Sequence, residues 1–287
     1  MLKFFIFFYV LFIFACTAQP SLEERPMKRV ALVVGNQDYK DNVLDNPIHD
    51  AKGIAKTLTS IGFDVHLTLN STEAQFNQAL QNVKSKIEPN NTLLFIYFAG
   101  HGNTLKEDSN EQFLMMTDKN ETVLISIYKL YDFLNKAKAR HNVMMIDACR
   151  DYKEHYVPVG KGKKNYRGNF RGVSVRSSDG FKKEEAVRVV DNYAHEFPKS
   201  TLISYATDPA QKAKDWSEHD MRHSPYSYAL IQHLADEEVP IGEVFRRVRE
   251  SVLNETNRTQ GNSEITKLEK NIWLVPKRAE VAFAPPL

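Results

Sequence analysis

The chain has little net charge, almost no cysteine and no apolar run that spans a bilayer comfortably. Lys and Arg number 38 against 36 Asp and Glu, for a formal charge of +2. That balance argues against a partner held by phosphate contacts, so no nucleic acid is expected. The apolar stretch at residues 4–14 (FFIFFYVLFIF) is shorter than the roughly 20 residues a membrane-crossing helix needs. No segment has the ligand spacing of a calcium loop, and there is no internal repeat. No metal or other cofactor is indicated. What is there is a chain of 287 residues, 42% of them hydrophobic, enough for one sizeable α/β core.

Lys3 followed by residues 4–14 is the pattern of a signal peptide, placed at 1–16, so export is expected. The IFAC run at residues 13–16 resembles the lipobox of bacterial lipoproteins. It implies acylation of Cys16 and a membrane-anchored protein; the alternatives are cleavage near Ala18 with release to the periplasm or medium, or an uncleaved anchor. Residues 17–28, polar and carrying Pro20 and Pro26, read as a tether. Cys149 then has no partner, and is either a buried inert thiol or one kept for its reactivity.

The body of the chain, residues 29–275, alternates strand and helix signals. Residues 29–35 (RVALVVG) predict a buried strand. Asn46-Pro47 opens a helix with Ile48, Ala51, Ile54, Ala55, Leu58 and Ile61 at helical spacing, closed by Gly62. After a strand at 63–69, Thr72 and Gln75 predict a capping box, and residues 92–98 (TLLFIYF) a third strand. This order predicts a parallel sheet with right-handed crossovers. Further on, 112–117 suits a small strand or hairpin arm, Ser126 caps a helix, and 143–146 (VMMI) makes a fourth core strand. Residues 150–195 are rich in glycine and basic side chains and predict a flexible connection. Strands at 200–206 and 272–275, helices from Ser224-Pro225 and over 240–253, and a disordered tail at 276–287 complete the expectation.

Two of these strands run into chemistry. The third leads into Ala99-Gly100-His101-Gly102, and the fourth into Asp147-Ala148-Cys149, so one edge of one sheet receives an imidazole and a thiol. A thiol attacks a carbonyl only as thiolate, and an imidazole can take its proton and return it to the leaving amine. The backbone N–H groups of Gly102 and Cys149 suit the oxyanion of an acyl-transfer intermediate. His219 and His223 stand four apart near Asp215, but their polar segment lacks a third ligand and reads as solvated surface.

YFAGHG at 97–102 and DAC at 147–149 resemble the caspase-like peptidases, in particular the bacterial metacaspase and paracaspase-like branch. In caspases the histidine precedes the cysteine by about 50 residues, as His101 precedes Cys149 here. RVALVVGNQDY, NPIHDAKGIAKTL, TLISYATDP, HSPYSYAL and FRRVRESV resemble further blocks of the family in the same order. The resemblance implies a three-layer sandwich, with a central, mostly parallel six-stranded sheet and helices on both faces. It implies a cysteine endopeptidase with His101 and Cys149 as its dyad, acting on protein or peptide substrates with basic residues. It assigns Asp147, Asp50 and Asp208 to an acidic pocket for Arg or Lys, and places 150–195 as the linker between large- and small-subunit-like parts. No arginine matches the basic pocket of caspases proper, and Arg150-Asp151 stands where metacaspases often carry His-Ser-Gly. The other reading is a catalytically silent, membrane-anchored binding or signalling module. The sequence leaves the oligomeric state open.

Overall fold

The structure, a computed structural model, describes residues 26–40, 43–104, 111–120, 122–150 and 196–275, together with the backbone of 157–159, 164–167 and 187–190. The expected signal peptide with Cys16, most of the tether and the tail at 276–287 lie outside the described residues.

The first half of the chain follows its periodicity. Strand β1 (Lys28–Gly35) leads to helix α1 (Pro47–Ser60), β2 (Asp64–Leu69), α2 (Glu73–Lys84) and β3 (Thr92–Ala99). The predicted Thr72–Gln75 capping box forms, with each side chain accepting from the other residue's backbone N–H. Asn46 differs from expectation. Its side chain caps nothing in α1, and its Nδ2 instead donates to the carbonyls of Asp215 and Met221. Proline at the first helical position leaves one fewer N–H in need of a cap, so the amide is free to tie two loops together.

Next come β4 (Gly102–Thr104), β5 (Gln112–Met116), β6 (Thr122–Ser126), α3 (Ile127–Ala137) and β7 (His141–Asp147). Ser126 caps α3 as predicted, accepting from Tyr128 N–H at 3.2 Å. Within 150–195 the structure holds three short strands, β8 (Val157–Val159), β9 (Lys164–Arg167) and β10 (Val187–Val190), where the composition predicts a flexible connection. β10 reads VRVV, a β-branched run, and lies parallel to β6, which offers it an edge. The chain ends with β11 (Thr201–Tyr205), α4 (Pro225–His233), α5 (Ile241–Glu255) and β12 (Ser263–Thr266).

The main sheet has the order β12-β11-β7-β3-β1-β2, parallel throughout except for β12, which is antiparallel to β11. β12 holds the edge, and 272–275, expected as a late strand, does not join the sheet. Trp273 makes only an isolated bridge to Pro240, because Ile272 and Leu274 are buried in the core rather than extending the sheet. β4, β5, β6, β10, β9 and β8 form a second sheet.

Alternation along the strands fills two layers. Ala31, Val33, Phe95, Tyr97, Val143 and Met145 share one core with residues of α1, α4 and α5. Val30, Leu32, Ile96, Phe98, Met144 and Ile146 share the other with α2 and α3. The result is the expected caspase-like α/β sandwich. Its period of two puts Tyr97 and Asp147 on the face that α1 and α4 cover.

Gly35 ends β1 where α1 crosses closest. A Cβ there would lie 2.5 Å from the Pro47 carbonyl oxygen and 2.7 Å from the Ala51 Cβ. Gly35→Ala is expected to cost about 1–3 kcal/mol. A fall in the urea midpoint at unchanged slope checks it, and an unchanged midpoint would show that the helix simply moves aside.

Candidate active site

β3 and β7 pair in parallel with Ala99 opposite Asp147, and the Gly100 N–H continues the ladder to the Asp147 carbonyl at 3.1 Å. His101 and Cys149 each follow that matched pair by two residues, on strands about 4.8 Å apart. Both line one cleft, together with Asp50, Asp147, Asp215 and Ser224.

Two glycines frame His101 because backbones and side chains close in on it. A Cβ on Gly100, whose φ is +154°, would sit 2.4 Å from the Tyr39 Oη. One on Gly102 would sit 2.8 Å from the Ala148 Cβ and 3.1 Å from the carbonyl oxygens of Cys149 and Phe113. Gly102 can therefore approach the cysteine loop as no larger residue could. Tyr39 fixes the histidine: its hydroxyl accepts from His101 N–H at 3.0 Å and donates to the Met115 carbonyl, with the two rings 4.5 Å apart. On the other side Cys149 is half-buried, its Sγ 3.8 Å from the Ala213 carbonyl oxygen and its own carbonyl accepting from Gln112 Nε2 at 3.2 Å.

Three carboxylates lie at the acidic end. Asp147 is buried, and its Oδ2 accepts hydrogen bonds from both the Ser224 and Ser227 hydroxyls. Burial pushes its pKa up to about 6, opposed by these donors. Asp50 is buried too, its Oδ1 accepting from His223 Nδ1 at 2.9 Å and from Ser224 N–H at 3.2 Å. Burial first, then the charge of Asp147, hold its carboxyl well above the usual carboxylate range. Asp215 accepts from Asp45 N–H at 2.8 Å and is likewise raised by burial. Ser224 caps α4 through the Ser227 N–H, and so ties the start of that helix to both Asp50 and Asp147.

Of the residues the sequence singles out, His101, Gly102, Asp50, Asp147 and Cys149 come together. Asp208 does not line the cleft. Its carboxylate lies near Gly261 and acts on the charge of Arg150. The chain turns at Asp208-Pro209 and brings Asp215 to the cleft instead. Arg150 itself is buried, with its guanidinium 4.0 Å above the Tyr205 ring. Its N–H donates to Gln211 and its carbonyl accepts from Ala210 N–H, bolting the turn after β11 to the residue next to the thiol. His219 and His223 go separate ways, and the expectation of a solvated surface is wrong for His223. His219 pairs with Glu255, whereas the His223 side chain is only 16% exposed against Asp50. Among the described residues no group of three His, Cys, Asp or Glu is placed to hold a metal ion.

Sequence reasoning misses Tyr39, Asp215, Ser224, Ser227 and His223. Tyr39, His223 and the two serines do fall inside the quoted blocks RVALVVGNQDY and HSPYSYAL, but neither block says which side chain turns inward.

The caspase domain family's sequence model matches residues 28–272. The chain belongs to the caspase domain family. Caspase-1 of Spodoptera frugiperda superposes with a TM-score of 0.59 at 15% identity, covering 89% of this chain and 93% of that one. The Drosophila initiator caspase Dronc superposes with a TM-score of 0.57 at 16% identity, covering 88% and 86%. These likenesses establish the caspase fold. No curated protein sequence is significantly similar to the chain.

A raised carboxyl has a definite sign in stability. Asp147, moved from 3.8 to about 6, favours the folded state while protonated and loses that contribution as pH rises through this window. Asp147→Asn, which cannot ionise, is therefore expected to gain stability relative to wild type on going from below to above the window. Thermal melts of both proteins across that range check it, and a difference in Tm that does not change with pH would refute the assignment.

Proposed function

We propose that this caspase-family protein is a cysteine endopeptidase that cleaves after Arg or Lys. Cys149 attacks the scissile carbonyl to give a thioester. His101 accepts the thiol proton and passes it to the leaving amine, then helps water release the acyl group. The N–H groups of Gly102 and Cys149 hold the oxyanion, a role that the close packing of Gly102 on the cysteine loop supports.

The observation that carries the reading is the chemistry of the deep end of the cleft. Asp50 is 1% and Asp147 6% exposed, and Asp215 joins them beside the thiol. Lys212 and Lys214 also line the cleft, but Lys212 is exposed and Lys214 only half-buried, at the mouth. A substrate side chain that enters thus ends among acids, where a guanidinium or ammonium restores the balance of charge. A silent binding module needs neither a thiol and an imidazole on adjacent strand ends nor an acidic recess next to them.

Peptides ending in Arg, Lys or Asp before a reporter amide test the proposal. Turnover is expected for the first two, to be lost in Cys149→Ala and to fall about 100-fold or more in kcat/KM in Asp147→Asn, which removes a buried charge partner. Below about pH 6 the wild-type kcat/KM for basic peptides should decline as Asp147 takes up a proton. Cleavage of the Asp peptide alone, or of none, would sink it.

We further propose that the protein is exported and anchored through an acylated Cys16, on the strength of residues 1–16 of the sequence. Metabolic labelling with a fatty acid that is lost in Cys16→Ala supports this; an unlabelled wild type rules it out.

A further inference from the structure

His223 does not line the cleft, yet it holds one of the cleft's acids from behind. Its Nδ1 lies 2.9 Å from Asp50 Oδ1, and its backbone is pinned on both sides: the N–H donates to the Asp220 carbonyl and the carbonyl accepts from Ser217 N–H. The seat of the ring is built. On α1, Gly53 sits in mid-helix, where glycine costs about 1 kcal/mol relative to alanine. A Cβ at Gly53 would come 3.1 Å from the His223 Cε1 and 2.5 Å from the Ile231 Cδ1. Gly53 clears the space that the imidazole and Ile231 of α4 occupy.

The need for this partner follows from charge. Asp50, Asp147 and Asp215 share one recess, and each ionised carboxylate makes ionisation of the next harder. Asp147 meets that cost with two serine hydroxyls. Among the described residues Asp50 has the Ser224 N–H and the His223 ring, both on Oδ1, which leaves Oδ2 for the cleft that Asp50 lines.

We propose that His223 is a positioning residue that sets specificity for cationic side chains, by orienting Asp50 and by cancelling its charge when the ring is protonated. The inference rests on the reading of the cleft as a pocket for Arg or Lys. A neutral ring donates its Nδ1–H and leaves the Asp50–His223 pair with one negative charge; a second proton, on Nε2, brings the pair to zero. The groups that face the ring are Asp50 and His49 from α1 and Asp220 and Arg222 from its own loop, while α4 presents Ile231. Burial, the largest influence, keeps the ring below the usual histidine range, with Asp220 opposing and Arg222 and His49 reinforcing it. The ring is therefore neutral at neutral pH and acts on Asp50 as a donor; as pH falls both the ring and Asp50, itself held above the usual carboxylate range by burial and by Asp147, take up protons, and the pocket weakens.

The test uses benzamidine, a guanidinium-like probe that needs no turnover, and reads its affinity as protection of Cys149 from iodoacetamide over roughly pH 5 to 8. In wild type, protection should weaken as pH falls. His223→Ala should weaken it about tenfold at neutral pH, as loss of a hydrogen bond to a charged group does. His223→Asn, whose amide can donate in place of Nδ1–H, should restore neutral-pH affinity while removing part of the acid dependence. With Arg peptides at neutral pH His223→Ala should raise KM and His223→Asn should leave it near the wild-type value, with kcat within about twofold in both. Unchanged benzamidine affinity in both variants, even with a lowered Tm, overturns the proposal and leaves His223 a packing residue. Protection that depends on His223 without Arg-peptide turnover would instead uphold it and overturn the peptidase reading. No protection of the wild type at any pH would overturn both.

Discussion

The site depends first on the register of two parallel strands. Ala99 stands opposite Asp147, so the segments that leave β3 and β7 at the same edge present an imidazole and a thiol two residues later. A slip of one residue would turn Asp147 from the α4 face to the α3 face and bury its charge beside Phe98 and Leu130. The register is fixed because both strands are buried on both sides. Each side chain of Leu93 to Ala99 and Val143 to Ile146 has a place in one of two cores, and a shift by one residue would exchange the two sets.

The second constraint is the cost of keeping carboxylates out of water. Asp147 meets it with hydroxyl donors, and those hydroxyls belong to the first turn of α4. Ser224 is shared three ways: its N–H goes to Asp50, its hydroxyl proton to Asp147, and its oxygen accepts from the Ser227 N–H. The acidic recess and the fold are thus one hydrogen-bonded unit. The helix cannot shift without taking donors from two buried acids, and the acids cannot be replaced without loosening the helix start.

How far the sequence reveals this follows from where each residue sits. His101 and Cys149 were legible because each closes an apolar run too regular to be anything but a buried strand, and the glycines around His101 mark a crowded turn. Asp50 was legible through its place in the NPIHDA block. Asp215 was not, since it lies in a polar segment without periodicity, whose course is set by long-range ties such as Asn46 to Asp215 and Met221; His223 opens the HSPYSYAL block, which does not say that its ring turns to Asp50. Asp208 misled because acid type and strand-end position were both right. What decided against it is Arg150, a neighbour only in space. The strand pattern of 263–266 was overlooked for a related reason: Ser263–Thr266 has little apolar content, and an edge strand needs little.

Arg150 is where the chain departs from the better-known metacaspase pattern, and the departure has a structural sense. A shorter residue after the cysteine would not reach β11 and β12 and would leave the loop beyond it to be held by other means. Here the guanidinium is driven onto Tyr205, at the end of β11, and reaches Ser263 on β12 at 3.3 Å. Its backbone at the same time joins Ala210 and Gln211. The residue beside the thiol is therefore anchored to the strand on one side and to the 208–214 turn on the other. That turn carries Ala213, whose carbonyl faces the Cys149 sulfur, and Lys214, whose N–H is held by Gln260 at 2.9 Å. Movement of the turn and presentation of the thiol are in this way mechanically linked. The stacking of Arg150 on Tyr205 thus bears on the placement of the Cys149 thiol, although the Arg150 side chain does not line the cleft.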